Sequence, residues 1–196
     1  MNISIVGVTG GVGSRVAQRL RARGHSVTGI VRRPDQAQEL ARQGATAKIA
    51  DVAVDPVETM AESIKGSDII LFTAGAGGQD GHEATTAVDG NGPSKVAAAA
   101  KVAGVSRFYL VSVFPEAWRE KRMDDDFEHY MVEKKKAESQ LVLTDLGLAK
   151  IHREIRRDDV AETLITLMEN PGITRVILEA TGGFTPIDEA VAALIT

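Results

Sequence analysis

Short apolar runs alternate with segments of helical periodicity along most of this chain. The first apolar run, residues 3–8, is typical of a parallel strand buried on both faces. Strands are predicted at 3–8, 26–31, 45–50, 68–73, 107–113 and 175–179, and helices at 12–23, 35–43, 56–65, 82–103, 127–143, 158–169 and 186–195. This alternation predicts an α/β fold, a single three-layer domain over residues 1–196 with a doubly wound, mainly parallel sheet. The predicted strand order is 3-2-1-4-5, with the last strands beyond.

The first strand runs directly into a glycine-rich turn and a helix, which is the order that a dinucleotide site requires. Gly7 permits the tight turn, and Gly13 lets the helix pack closely on the strand. Gly10 and Gly11 let backbone N–H groups approach a pyrophosphate, which the positive end of the helix would also attract. A tight turn without a ligand is the alternative interpretation.

Two arginines end the second predicted strand. In dinucleotide folds, an acidic residue about 20 positions after the glycines binds the ribose 2′-hydroxyl of NAD. Arg32 and Arg33 occupy that place here. A guanidinium can bind a 2′-phosphate bidentately, so the sequence predicts that NADP(H) is preferred over NAD(H). Two solvated arginines in a turn are the alternative.

The spacing Gly7-x-x-Gly10-x-x-Gly13 resembles the glycine motif of extended and atypical short-chain dehydrogenases/reductases (SDRs). Two further runs, 88–92 and 99–108, resemble atypical SDRs of the NmrA-like, NAD(P)H-binding group. The resemblance covers the chain as far as about residue 143 and resumes near residue 155. It implies a Rossmann fold and a dinucleotide cofactor, together with an unidentified small-molecule substrate.

The same resemblance implies where the rest of the cofactor binds. After the third strand, an acidic residue binds the adenine amino group and the next residue packs on the ring; Asp51 and Val52 hold those places, although Asp51 could instead cap a turn. The glycine-rich loop 74–81 leaves the fourth strand beside the first and is expected to run along the cofactor, with a flexible connector as the alternative. The expected cofactor-binding residues are Gly7, Thr9, Gly10, Gly11, Val12, Gly13, Arg32, Arg33, Asp51, Val52, Thr73, Ala74 and Gly75.

Tyr130 and Lys134 have the Y-x-x-x-K spacing of the SDR catalytic pair, which places both side chains on one helix face. The resemblance implies that the tyrosine transfers a proton while a hydride moves to or from the nicotinamide. It also implies that the lysine lowers the tyrosine pKa and holds the nicotinamide ribose. The run Lys134-Lys135-Lys136 could instead be a solvated face.

Ser112, near the end of the fifth strand, is the expected substrate-orienting serine. The resembled family commonly places that hydroxyl one residue later, where this chain has Val113. Neighbouring residues of a strand face opposite sides of the sheet, so the alternative is that the Ser112 side chain points away from the site.

Composition narrows the classes of function. Hydrophobic residues make up 43% and charged residues 26% of the chain, as in soluble globular proteins, and the net charge of −4 disfavours binding to nucleic acid or to a membrane surface. The absence of cysteine excludes disulfides, thiolate metal sites and a cysteine nucleophile. Neither a signal peptide nor a membrane-spanning run is recognised, so a cytoplasmic monomer or homodimer is expected.

Three consecutive acids, residues 124–126, precede the helix that carries Tyr130. A helix cap with a solvated acidic face explains them better than a metal site does, because acids are favoured at the positive end of a helix. The sequence therefore predicts no metal.

The alternation breaks down between residues 144 and 157. Members of the resembled family have another strand here and a substrate loop, whereas this chain has no run of four apolar or β-branched residues. The sequence predicts a missing or deleted segment near 145–148, a last strand without its expected neighbour, and an incomplete substrate region near 114–157.

Two functions remain open. The first is an NADP(H)-dependent oxidoreductase that reduces a small carbonyl, quinone or flavin-like acceptor, which Tyr130 and Lys134 favour. The second is a regulatory protein that senses NADP(H) and binds another protein, as NmrA-like relatives do, which Val113 and the short C-terminal half favour.

Overall fold

The computed structural model describes residues 1–77, 80–113, 123–142, 148–151 and 155–195, with only the backbone described at residues 142 and 148–151. The strands are β1 (Asn2–Val6), β2 (Ser26–Val31), β3 (Thr46–Ile49), β4 (Ile69–Phe72), β5 (Arg107–Ser112), β6 (Leu148–Ile151) and β7 (Ile177–Ala180). The helices are α1 (Gly13–Ala22), α2 (Pro34–Arg42), α3 (Val57–Ile64), α4 (Gly81–Thr85), α5 (Gly92–Val102), α6 (Asp125–Val142), α7 (Arg157–Glu169) and α8 (Ile187–Ala192), with a π-helical turn at Thr86–Gly90.

The strands pair in parallel in the order β3-β2-β1-β4-β5-β6-β7. The predicted order 3-2-1-4-5 and the α/β class are therefore confirmed. The order reverses between β1 and β4, whose carboxyl ends lie side by side. Crossovers leave such a point toward opposite faces of the sheet, so a crevice opens there at the carboxyl edge.

The central strands are buried on both faces, because each strand residue in turn packs into a different core. In β4, Ile69 and Leu71 join the core that contains Leu20 of α1 and Leu164 of α7. The alternate residues Ile70 and Phe72 join the core under α3 and α5. The short continuous apolar runs in the sequence thus correspond to parallel strands between two helical layers.

The helix predicted over residues 82–103 is divided into three parts. The backbone N–H of Asn91 donates to the Thr86 carbonyl at 2.9 Å, a bond that spans five residues and forms the π-helical turn. Pro93 stands at the start of α5 and has no N–H to offer to the preceding turn. Asp89, on the π-helical turn, is 1% exposed.

The expectation that no strand lies between residues 144 and 157 is wrong. β6 pairs in parallel with β5 on one side and β7 on the other, so the last strand has its neighbour. Sheet ladders are made by backbone groups, and a four-residue strand between two others does not need an unbroken apolar run. The gap expected near 145–148 falls largely on residues 143–147, which lie outside the described residues.

Candidate cofactor and active site

A cleft lies at the carboxyl edge of the sheet, where β1 and β4 end side by side. Its inner part is a cavity of about 190 Å³. Nine of the expected cofactor-binding residues line this cavity: Gly7, Thr9, Gly10, Arg32, Asp51, Val52, Thr73, Ala74 and Gly75. Gly11, Val12, Gly13 and Arg33 do not line it.

The backbone of the glycine turn leaves no room for a side chain at Gly7 or Gly13. Gly7 has φ +92°, and a Cβ at this position would lie 2.5 Å from the backbone nitrogen of Ala74. A Cβ on Gly13 would lie 2.8 Å from Thr73 Oγ1 and closer still to the Gly7 carbonyl. The turn is closed by a hydrogen bond from Gly10 N–H to the Gly7 carbonyl, 3.0 Å long.

The start of α1 is open to an anion. Val12, which precedes the helix, supplies no capping side chain, and the first turn contains no acidic residue. The first N–H groups of a helix have no partner within it and carry partial positive charge, so they attract an anion. With the close approach of the glycine backbone, this cradle fits the pyrophosphate of a dinucleotide.

The two arginines at the end of β2 are in different situations. Arg32 lines the cavity and has no carboxylate partner among the described residues. The Arg33 guanidinium donates to the Asp35 carboxylate at 3.1 Å, within the first turn of α2. Of the two, only Arg32 lines the cavity, and its contact with a 2′-phosphate remains a prediction.

Asp51 acts as a turn residue in this structure. Its carboxylate accepts a hydrogen bond from the Ala53 N–H at 2.9 Å, and its own N–H donates to the Asp55 carboxylate at 2.7 Å. The contact with adenine remains a prediction. The turn is also held by Lys95, whose ammonium donates to the carbonyls of Val52 and Asp55.

A second cavity of about 660 Å³ adjoins the first and shares Gly10, Thr73, Ala74 and Gly75 with it. All three expected catalytic residues, Tyr130, Lys134 and Ser112, line this second cavity. The fold therefore brings together residues from β5 and α6 beside the cofactor cleft, as the sequence predicted. Whether they act in catalysis remains a prediction.

Lys134 is paired with an acid that the sequence analysis did not assign. Its ammonium lies 3.4 Å from Asp89 Oδ1, and both side chains are almost fully buried. The other carboxylate oxygen of Asp89 accepts a hydrogen bond from the Ala76 N–H at 2.9 Å. Asp89 therefore joins the loop after β4 to the lysine of α6. Its Oδ1 makes no hydrogen bond in the described part of the chain.

The expectation that Lys134 lowers the pKa of Tyr130 is not met. Burial raises the pKa of the Tyr130 phenol above its ordinary value of 10.0, and the negative charge of Asp89 raises it further. The Lys134 ammonium lies 5.7 Å from the centroid of the Tyr130 ring and 3.4 Å from Asp89 Oδ1. Tyr130 is thus held in its protonated form.

Ser112 faces the second cavity, although its hydroxyl is already engaged. The Ser112 Oγ donates to Glu138 Oε1 at 2.6 Å, and both residues are buried. Glu138 lies on α6, one helical turn beyond Lys134, so this bond ties β5 to the helix that carries the expected catalytic pair.

The acidic run before α6 behaves as a cap. Asp124 accepts a hydrogen bond from the Phe127 N–H at 2.8 Å, and Asp126 pairs with His82 of α4 at 2.9 Å. No group of three or more possible metal ligands occurs within the described ranges. No helix in that part of the chain is long and apolar enough to cross a membrane.

Asp89 and Lys95 are the residues of the site that sequence reasoning missed. Both lie in the region 82–103, which reads as one helix with small residues. One feature of the sequence could have revealed Asp89. It is an acidic residue at a position that a packed helix would bury, shortly before Gly92 and Pro93. Lys95 carried no comparable signal, because its three acceptors are backbone carbonyls of a distant turn.

Comparison with known proteins agrees with this geometry. The model of a family described as NAD(P)H-binding matches residues 7–148. A Bacillus subtilis (strain 168) protein named "Uncharacterized sugar epimerase YhfK" is 31% identical over 216 aligned positions, covering 99% of this chain and 100% of the relative. The UPF0659 protein YMR090W of Saccharomyces cerevisiae is 27% identical, with 99% of both chains covered.

Among solved structures, the oxidoreductase ylbE from Lactococcus lactis is similar over its whole length. Its sequence is 25% identical, the TM-score is 0.84, and the superposition covers 100% of this chain and 97% of that chain. The similarity therefore extends over the whole fold.

Proposed function

The chain belongs to the NAD(P)H-binding family of atypical SDRs, and from that premise we propose that it is an NADP(H)-dependent oxidoreductase. Its substrate would be a small carbonyl, quinone or flavin-like acceptor. The cytoplasmic location and the monomeric or homodimeric state expected from the sequence are part of the same proposal.

The observation that carries the proposal is the continuity of the two cavities. The cavity that contains Tyr130 and Lys134 adjoins the cofactor cleft. The two share residues of the segments that follow β1 and β4, namely Gly10, Thr73, Ala74 and Gly75. A dinucleotide bound at the glycine turn would extend toward the larger cavity. The volume of this larger cavity, about 660 Å³, lies within the usual range for small-molecule sites.

The residues of the chain have distinct roles in this reading. The cofactor supplies the hydride when it is bound. Tyr130 would donate a proton to the substrate oxygen, so that a carbonyl gains a hydride at carbon and a proton at oxygen and becomes an alcohol. The phenol is protonated at neutral pH, which is the form that a proton donor needs, although its raised pKa makes it a weaker acid than a free tyrosine.

Lys134 and Asp89 would hold this arrangement in place. Their buried ion pair fixes the loop that contains Ala76 against α6, and residues of this loop line both cavities. Loss of one partner of a buried ion pair leaves an uncompensated charge, which is strongly unfavourable. The pair is thus expected to be important for the shape of the site as well as for its charge.

The proposal is tested by measuring NADPH consumption with panels of carbonyl, quinone and flavin acceptors. Turnover is expected with at least one panel, and Tyr130→Phe should reduce it strongly with little change in NADPH affinity. Tyr109→Phe is the matched control, because Tyr109 is the other tyrosine of the chain and its hydroxyl bonds the Leu167 carbonyl, away from the cavity. Equal turnover in both variants would exclude Tyr130 as the proton donor.

A second candidate is a regulatory protein that binds NADPH without turnover. The observation that favours it is that Lys134 and Ser112 are both engaged with buried carboxylates of the protein. This candidate predicts NADPH binding in the wild type, no consumption with any acceptor, and the same NADPH affinity in Tyr130→Phe. The same screen therefore distinguishes the two functions.

A further inference from the structure

An arginine from the far end of the chain lies on the glycine turn. Arg157 is the first residue of α7, and a Cβ built on Gly11 would lie 2.9 Å from its Cδ and Nε atoms and 3.5 Å from its Cζ. The side chain of Arg157 therefore lies against Gly11, next to the start of α1.

Ion pairs between α1 and α7 fix this position. The carboxylate of Asp158 accepts hydrogen bonds from Arg15, at 3.3 Å, and from Arg19. Farther along, Arg23 pairs with Glu162 and with Glu169. The start of α7 is thus held beside the start of α1.

Arg157 has no anionic partner of its own in the described part of the chain. Asp158 is taken by the arginines of α1, and Asp159 pairs with Arg156 at 2.9 Å. The Arg157 guanidinium lies instead near the start of α1, which is the positive end of that helix and has no acidic residue in its first turn. Two positive groups in such proximity are unfavourable until an anion lies between them.

We propose that Arg157 is a cofactor-binding residue that contacts the pyrophosphate bound at the glycine turn, an inference that rests on the proposed cofactor site. The planar guanidinium suits the oxygens of a diphosphate, to which it can donate two parallel hydrogen bonds. Together, the backbone of Gly10 and Gly11 and the Arg157 side chain would hold the anion from two sides. The carboxylate pairs of Asp158 position the arginine without neutralising it.

The test compares ligands that differ in their phosphates. NADPH and ADP contain a pyrophosphate, whereas adenosine 2′-monophosphate contains only the phosphate expected at Arg32. Dissociation constants are measured by calorimetry for the wild type, for Arg157→Ala and for Arg156→Ala. Arg156 is the matched control, since it is adjacent, exposed and already paired with Asp159.

Arg157→Ala is expected to weaken NADPH and ADP by roughly 10-fold or more, the loss of a charge-assisted hydrogen bond, and to leave adenosine 2′-monophosphate unchanged. Arg156→Ala should change none of the three. Arg157→Lys, which keeps the charge but loses the planar fork, should give an intermediate loss. Unchanged ADP affinity in Arg157→Ala, or an equal loss in Arg156→Ala, would overturn the inference.

A structural role for Arg157 makes a different prediction and is separated by thermal melting without ligand. Because its guanidinium has no carboxylate partner, Arg157→Ala should leave the melting temperature of the free protein unchanged or raise it. A lower melting temperature with unchanged affinities would assign Arg157 to the fold alone. If wild-type protein binds neither NADPH nor NADH, the proposed function fails together with the inference, whereas NADPH binding that is insensitive to Arg157→Ala defeats the inference only.

Discussion

At the scale of single residues, two buried charges line the cavity that contains Tyr130. Asp89 and Lys134 neutralise each other inside the protein, and Tyr130 lies beside them with a pKa above its ordinary value. Burial and the Asp89 charge both favour the neutral phenol, and a catalytic role for Tyr130 remains a prediction. The sequence motif gives the spacing of Tyr130 and Lys134, but the acid that pairs with Lys134 comes from the π-helical turn.

The charge of Asp89 can be tested through the titration of Tyr130. In a Tyr109→Phe background, Tyr130 is the only tyrosine left, and its ionisation is followed by near-ultraviolet absorbance. Ionisation is expected above pH 10.0, because burial and Asp89 both favour the neutral phenol. Adding Asp89→Asn removes the second cause and should lower the pKa, while burial keeps it above its ordinary value. A titration that does not respond to Asp89→Asn would show that Asp89 has no influence on the phenol.

Arg32 is the residue on which the NADPH preference depends. Arg32→Ala should weaken NADPH by about 1.5–3 kcal/mol and leave NADH nearly unchanged, because only NADPH carries the 2′-phosphate. Titration of both cofactors against the two proteins measures this. Arg33→Ala is the control, since the Arg33 guanidinium is already paired with Asp35 and should have a smaller effect. Equal affinity of wild-type protein for the two cofactors would contradict the preference itself.

At the scale of elements, α1 and α7 are joined by a row of ion pairs. Arg15, Arg19 and Arg23 occur at helical spacing on α1 and face the acids of α7. Exposed pairs are individually weak, but several that share partners form a network. This row of ion pairs holds α7 beside α1. It therefore positions Arg157 next to the glycine turn, the two parts of the proposed pyrophosphate site.

The row of ion pairs should make stability depend on pH in the acidic range. The Arg19 guanidinium, and then that of Arg15, holds the pKa of Asp158 below its ordinary value of 3.8. A depressed carboxyl pKa contributes stability that is present above pH 3.8 and is lost as the pH falls through the lower, folded-state value. Arg19→Ala should therefore lower the free energy of unfolding at neutral pH, with the difference from wild type shrinking below pH 3.8.

Urea unfolding at a series of pH values measures this dependence. Arg42→Ala is the matched control, because Arg42 makes one exposed pair with Glu39 inside α2 and should change stability less. High salt should also reduce the Arg19→Ala effect by screening the pairs. The same loss in both variants, independent of pH and salt, would mean that the row contributes nothing beyond single surface pairs.

At the scale of the whole molecule, we expect the centre of the sheet to resist local unfolding better than the edge formed by β7. β1 and β4 are enclosed by both cores, whereas β7 has alternating exposed and half-buried residues and is an edge strand. Among the described residues, the register between β5 and β6 comprises two residue pairs.

Hydrogen exchange followed by mass spectrometry should show this gradient. Amides of β1 and β4 should exchange slowest, because their opening requires global unfolding, and amides of β6 and β7 should exchange faster through local opening. Binding of NADPH should slow exchange in the glycine turn and in the first turn of α7, which the Arg157 contact would join. Uniform protection across β1 to β7 would contradict the weak link between β5 and β6.

The sequence by itself determined the α/β class and the strand order, and it predicted the place of the cofactor cleft. These follow from signals that act over a few residues: the period of apolar positions, the glycines between β1 and α1, and the spacing of Tyr130 and Lys134. The same local reasoning failed at β6, because a short strand held by two neighbours needs no apolar run of its own.

Only the tertiary structure decided which residues of distant segments come into contact. Asp89 with Lys134, Ser112 with Glu138, and Arg157 with Gly11 are contacts between elements far apart in the chain. Each depends on how helices pack across the sheet, and no periodicity or spacing within one segment contains that information. The chemistry of the site, from the protonated Tyr130 to the arginine beside the glycine turn, is therefore a property of the folded molecule.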